Sequence, residues 1–323
     1  MKKICIVMYV FGDTYQEYIP LFLLSLFKVY PGYGVRIYLD RGMSDIVAKS
    51  MYMFSEMDVT VVEHYDDGLK LTKKARSYEQ ISKCVRWLVY DPAFEQYESV
   101  YIGDIDILFF AEKTPMFEEH MRHCEFLNKP YSNIARSHKL NKKLLLKPIA
   151  RNLIKFGFGQ SAKFYLSRQS QVKKLSGLHF MKTKPYFPEM LKIREDVVGE
   201  LNLLAEGKSK KYNLCSFNNE SLLYDMMMEC GFGELEEAEP GYNIATDGGN
   251  LSYRPHHGIH LGIFRHSAIM QNEKSVIDSS EYRNFYREFE KLSETDEYKK
   301  LFGEFSEYLK TIIKNMQNYY RGY

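Results

Sequence analysis

The sequence predicts an α/β protein: a mixed, mostly parallel sheet flanked by helices, with a basic insert and C-terminal helices. Three observations carry this. Apolar, β-branched runs alternate with helical stretches through the first third of the chain, the pattern of a parallel sheet with crossover helices. A segment of 63 residues, Phe126 to Pro188, holds 14 Lys and Arg and no Asp or Glu. The tail from Ser279 to Tyr320 is charged and aromatic and reads as two helices with a break near Gly303. The expected organisation is a main domain over 1–270, containing the basic insert at 126–176, and a helical extension over 271–323.

The elements follow in order. Residues 4–10 are continuously apolar, as in a strand buried on both faces, and Gly12 and Asp13 break the run. Residues 15–30 read as a helix closed by Pro31 and Gly32. A second strand spans 35–39. Ser44 is placed to cap a helix reaching about Ser55, and 59–62 form a third strand. A helix is expected over 77–89. Residues 99–110 read as a strand interrupted at Gly103-Asp104-Ile105-Asp106. Beyond the insert, 177–181 read as a strand, 218–230 as a helix, 243–252 as turns and 257–264 as a short strand or loop.

Composition narrows the function classes. The net charge is +2, with 45% hydrophobic and 27% charged residues, so neither a disordered chain nor a nucleic-acid binder is indicated. That balance hides an asymmetry: outside the 14-cation segment the rest is 30 − 42 = −12. The segment interleaves Leu, Ile and Phe with its cations. It suits contact with an anionic membrane surface or an acidic acceptor, or else a solvated insert paired with the acidic remainder. Cys5, Cys84, Cys124, Cys215 and Cys230 are scattered and odd in number, as reduced thiols are. The apolar run after Lys2 and Lys3 has no small-residue cleavage site, and the run over 18–27 contains Pro20 and is too short to span a bilayer. A cytoplasmic protein, peripheral at the inner membrane face at most, is expected.

The sharpest motif is Asp104-Ile105-Asp106 at the end of an apolar strand. Ligands of parallel α/β sheets bind at the carboxyl ends of strands. Two carboxylates there can hold a hard divalent cation that bridges a diphosphate; the alternative is ordinary Gly-Asp turn chemistry. Four of the nine histidines, His256, His257, His260 and His266, fall within eleven residues. An imidazole suits Mn²⁺ as a third ligand. His260, between Ile259 and Leu261 and near Gly262, is favoured, with His257 the alternative.

In these residues and their order the chain resembles the GT-A fold nucleotide-sugar glycosyltransferases, nearest in pattern to glycosyltransferase family 8 and its relatives, over roughly residues 1–265. The matching segments are Ser82-Lys83-Cys84-Val85-Arg86-Trp87, Tyr101-Ile102-Gly103-Asp104-Ile105-Asp106, Gly177-Leu178-His179-Phe180, Asn219-Glu220-Ser221 and His260-Leu261-Gly262. The resemblance implies Mn²⁺ or Mg²⁺ on Asp104, Asp106 and His260. It implies donor binding by Tyr9, Asp13, Lys83, Arg86, Asp104, Gly177 and His179, with Tyr15 beside the base, and a catalytic role for Glu220 near the anomeric carbon. The implied reaction is hexosyl transfer from a nucleoside-diphosphate sugar, a UDP-sugar in the family pattern, to a glycan or lipid-linked saccharide in bacterial surface polysaccharide synthesis. The chain departs from the pattern where Ile263-Phe264-Arg265 replaces the family's Lys-Pro-Trp and where the acid-amide-acid cluster reads Asn-Glu-Ser. Two rivals remain: a sugar nucleotidyltransferase, which needs a Gly-rich basic loop after the first strand, and a non-catalytic membrane-associated scaffold.

Overall fold

A computed structural model describes residues 1–65, 68–70, 78–139, 171–214, 216–235, 257–266, 274 and 276–321. Most of the basic insert (140–170), His256 and the turn-rich 243–252 lie outside the described residues. The described chain runs β1 (Lys2–Val10), α1 (Asp13–Gln16), α2 (Ile19–Val29), β2 (Gly34–Leu39), α3 (Asp45–Ser50), β3 (Val59–Val62), α4 (Tyr78–Ser82), β4 (Tyr97–Ile102), β5 (Ile107–Phe109), α5 (Met116–Leu127), β6 (Tyr131–Ser132), β7 (Ala135–Lys139), β8 (Gln171–Leu175), β9 (His179–Lys182), α6 (Thr183–Ala205), α7 (Asn219–Glu229), β10 (Gly258–His260), α8 (Ser280–Ser293), α9 (Asp296–Glu304) and α10 (Glu307–Arg321).

Six strands form the central sheet in the order β3-β2-β1-β4-β9-β6. β3, β2, β1 and β4 are mutually parallel, and β9 runs antiparallel between β4 and β6. The chain thus leaves β1 toward β2 on one side and returns to β4 on the other. Such a reversal opens a crevice beyond the carboxyl ends of the two strands. One core lies between one sheet face, α2 and the C-terminal helices, from Ile4 and Phe22 through Phe289 to Met316; a second joins the other face to α6 and α7. Cys5, Cys84, Cys124 and Cys230 are buried free thiols. Among the described residues no helix is long and apolar enough to cross a membrane.

Several elements depart from the sequence reading for local reasons. The single helix expected over 15–30 is split, because Pro20 can sit only in the first turn of a helix, and α2 begins there. The helix from Ser44 tightens into a 3₁₀ turn at Met51–Phe54. The helix expected over 77–89 is α4 followed by a 3₁₀ turn at Val85–Trp87. The tail makes three helices, not two: Ser279 and Thr295 cap α8 and α9 by accepting from Tyr282 and Tyr298 N–H, and Gly303 lies inside α9. The ends of the basic segment are structural. β6 and β9 complete the central sheet, while β7 and β8 pair with each other beside it.

At the opposite end of the parallel strands, Asp58 ties four of them together. Its carboxylate takes hydrogen bonds from Lys2 Nζ (2.6 Å), Tyr97 Oη (2.5 Å) and the buried Arg36 Nη1 (2.9 Å). Burial opposes ionisation, but these three donors outweigh it and hold the pKa at about 2, against 3.8 ordinarily. A carboxyl depressed in the folded state adds stability above its unfolded pKa and loses it as pH falls through the folded one. Asp58→Asn should therefore cost about 2 kcal/mol at pH 7. Urea titrations of parent and variant should converge as the pH drops from about 4 to about 2.

Candidate active site

The crevice predicted by the strand reversal is present as an open cleft of about 290 Å³. Tyr9, Val10, Phe11 and Tyr15 enter from the end of β1, the turn beyond it and α1. Gly103, Asp104, Ile105 and Asp106 enter from the end of β4, Lys83 and Arg86 from the segment after α4, Asn219 from the start of α7, and His260 and Arg265 from β10 and the turn after it.

The local sequence explains why these groups meet. After β4 the chain turns at Asp104, with Ile107 N–H donating to Asp104 O (3.2 Å). It then pairs as β5 with β10, antiparallel, in the register Ile107↔His260 and Phe109↔Gly258. That register sets His260 beside the second aspartate: its Nε2 lies 3.4 Å from Asp106 Oδ1. Leu261 N–H closes the junction on Asp106 O at 2.8 Å, and His260 N–H donates to Tyr282 Oη of α8 at 2.7 Å. A 3₁₀ turn over Leu261–Arg265 then swings Arg265 back, so that Nη2 reaches Asp106 Oδ2 at 2.5 Å while the guanidinium covers the Tyr15 ring. Arg86 Nη1 reaches Asp104 Oδ1 at 2.5 Å and its guanidinium stacks on Trp87.

Electrostatics follow from this packing. Burial of Asp106 disfavours its charge, but His260 and Arg265 overcome that and hold its pKa below the carboxylate norm. Burial likewise disfavours charge on His260, yet the Asp106 carboxylate prevails and raises the imidazole to about 8. Lys83, Arg86 and Arg265 outnumber the two aspartates, so the cleft favours an anionic ligand.

Gly262 makes the close approach of ligand groups to backbone feasible. A Cβ there would stand 2.6 Å from Asp106 Oδ2 and 2.8 Å from His260 Nε2. Asp106 and His260 meet beside Gly262 and Asp104 lines the same cleft, and a donor set of two carboxylates and an imidazole suits Mn²⁺ or Mg²⁺. Gly262→Ala should displace both groups and lower turnover about 100-fold, as a misplacement near 1 Å does, while the far-UV spectrum stays that of the parent.

The structure gathers most of the expected site and relocates part of it. Tyr9, Lys83, Arg86, Asp104, Asp106 and His260 line the cleft. Asp13 does not: its side chain is 74% exposed and pairs with Arg41 at 3.1 Å. Gly177 lies behind Arg86, and a Cβ there would meet Arg86 Nη2 at 3.1 Å. His179 is corrected from donor contact to core. It is fully buried, with Nδ1 2.9 Å from Asn133 Nδ2 and Nε2 3.1 Å from Tyr186 Oη, and burial drops its pKa to about 3. Glu220 falls outside the lining, where its neighbour Asn219 stands; it pairs with Arg136 (2.9 Å) on β7 and Lys174 (3.1 Å) on β8. His257 points away from the cleft, to Glu112 and His120. Arg265 was not singled out from sequence. Its signal in the sequence is a cation three residues after Gly262.

No family model matches the sequence, and no curated protein matches it. Among solved structures, the chain is similar to core-mannan synthase A from Aspergillus fumigatus in its Mn/GDP form (10% identity, TM-score 0.42, 70% of each chain). It is similar to the mannosyltransferase Ktr4p from S. cerevisiae with GDP (10%, 0.42, 69% of this chain and 66% of that one). A third is the glycosyltransferase GlyE of Streptococcus pneumoniae TIGR4 (12%, 0.41), of which the chain spans 46%.

Proposed function

We propose that the chain is a metal-dependent glycosyltransferase that moves a sugar from a nucleoside diphosphate, a UDP-sugar first among them, to a glycan or lipid-linked acceptor. The observation that carries this is the set Asp104, Asp106 and His260 at a strand-reversal crevice, flanked by Arg86 and Arg265. Those three residues would hold Mn²⁺ or Mg²⁺, and the ion would offset charge on the departing diphosphate. Arg86 and Arg265, already fixed by carboxylates and stacked on Trp87 and Tyr15, present forked donors to phosphate oxygens. Tyr9, Phe11 and Tyr15 offer ring faces at the end of β1 for the base. Asn219 reaches the sugar from α7, whose start is fixed by the Asn218–Ser221 capping box.

Glu220 is proposed as the carboxylate on the anomeric side, steered from behind the lining by Arg136 and Lys174. Those two cations belong to the basic segment, which is proposed to face an anionic membrane or acidic acceptor in bacterial surface polysaccharide synthesis. The nucleotidyltransferase alternative fits less well, since Phe11-Gly12-Asp13-Thr14 after β1 offers neither a Gly-rich loop nor a cation. A screen of nucleotide sugars for hydrolysis, with and without Mn²⁺, tests the reading. One sugar nucleotide should be cleaved only with the ion; no cleavage of any member under either condition rejects it.

A further inference from the structure

A second cluster of metal-ligating side chains is buried outside the cleft. Glu112 follows β5, Glu119 and His120 lie on α5, and His257 precedes β10. Ligand atoms of Glu112, Glu119 and His257 all lie within 4.8 Å of one another. The Glu112 and His257 side chains are 3% and 4% exposed, and Glu119 and His120 are buried. His257 holds a left-handed backbone, φ 62°, which a non-glycine residue adopts only where its surroundings fix it. Its Nδ1 lies 2.7 Å from Glu112 Oε2 and its Nε2 lies 2.9 Å from His120 Nε2. The chain of contacts continues from His120 Nδ1 to Ser132 Oγ (2.8 Å) and from that hydroxyl to His123 Nδ1 (2.7 Å).

We propose that Glu112, Glu119 and His257 Nδ1 form a second divalent-metal site, for a first-row transition ion such as Zn²⁺, with His120 positioning the His257 ring. Two carboxylates this close in a dry setting repel, and an ion between them turns repulsion into ligation. One imidazole with two carboxylates suits Zn²⁺ or Mn²⁺ better than Ca²⁺, which prefers six or more oxygens.

The hydrogen-bond chain behind the ring accommodates the ion without leaving any of its members unpaired. With the ion on Nδ1, the His257 proton sits on Nε2 and is donated to His120 Nε2. His120 Nδ1–H then donates to Ser132 Oγ, and Ser132 O–H donates to His123 Nδ1. Without the ion, His257 Nδ1–H donates to Glu112 and every bond in the chain reverses. His123 can serve either direction as a neutral ring, since burial lowers its pKa to about 4. Such outer partners orient a ligating histidine and fix its tautomer. The site also braces the cleft from behind: β10, which carries His260, begins at the residue after His257.

The test is metal retention by the full chain, read by plasma mass spectrometry after loading with Zn²⁺ or Mn²⁺ and desalting. The doubly substituted Asp104→Asn/Asp106→Asn protein has no cleft ligands left except His260, so any ion it keeps reports the second site. It should retain about one ion per chain, and loading should raise its Tm by on the order of 5 °C. Retention of Zn²⁺ assigns the site to the softer ion and retention of Mn²⁺ alone to the harder; both support it. Glu112→Gln/Glu119→Gln should lose that ion while keeping Mn²⁺-dependent donor binding in the cleft. Should this variant fail to fold, Co²⁺ titration of the Asp104→Asn/Asp106→Asn protein decides: visible absorption bands abolished by Zn²⁺ support the site. No retained ion and no Tm rise in that protein overturns it, as does full retention by a folded Glu112→Gln/Glu119→Gln variant. Neither result bears on the cleft, whose own failure would show as normal turnover without Asp104 and Asp106.

Discussion

Asp106→Asn should lower donor turnover by about 1000-fold or more. The carboxylate serves three partners at once: His260 Nε2 at 3.4 Å, Arg265 Nη2 at 2.5 Å, and the cation the set would hold. An amide of the same shape keeps the packing but removes the negative charge that binds all three, and the loss of a preorganised electrostatic group at a reacting centre costs about that much. The neutral side chain also leaves the partly buried Arg265 guanidinium without its carboxylate partner, so Tm should fall by several degrees. Asp104→Asn provides the cleaner comparison. Its side chain is 36% exposed and pairs with Arg86 alone among the described residues, so turnover should collapse with little change in Tm. Donor hydrolysis and thermal unfolding on the same preparations check both statements. Near-parent turnover in both variants would remove the aspartates from the mechanism.

Arg265→Ala should reduce kcat/KM by about 100- to 1000-fold. The guanidinium is held by Asp106 on one side and the Tyr15 ring on the other. Burial works against its charge, yet Asp106 and its surroundings keep the pKa above the usual arginine value, so it stays cationic throughout the working range. Its role in the proposal is to meet the diphosphate as the metal is bound. Arg265→Lys keeps a charge but not the planar fork or the stacking, and should recover only part of the activity. Initial rates across donor concentrations distinguish the two. A pure KM effect in both variants would confine Arg265 to ground-state binding.

The parallel core and the two aspartates were legible because they are local. A buried strand writes itself as an unbroken apolar run, and the Asp104-Ile105-Asp106 triplet stands where such a run stops. What escaped depends on pairings far apart in sequence. β9 enters the sheet antiparallel, with His179 opposite Ile102, and alternation sends Phe180 to one core and His179 to the other. A resemblance gives a residue's position along the chain but not the face it occupies, which is why His179 was expected at the donor. His257 and His260 are three residues apart yet serve different clusters for the same reason. Arg265 reaches Asp106 across 159 positions, through a turn no periodicity marks. The helix breaks at Pro20 and Thr295 had visible signals, a proline at a first turn and an N-cap hydroxyl, that hydrophobic spacing alone overlooks.

The central claim is that Asp104, Asp106 and His260 hold an ion that binds a nucleoside diphosphate. Calorimetric titration of UDP and GDP into the full chain, with Mn²⁺ and after chelation, tests it most directly. The Asp104→Asn/Asp106→Asn protein serves as the reference. At least one nucleotide should bind the parent about 10-fold or more tightly with Mn²⁺, a gain of about 1.4 kcal/mol, and the reference should show no gain. Equal affinity with and without the ion, or an ion-dependent gain that survives the loss of both aspartates, would contradict it.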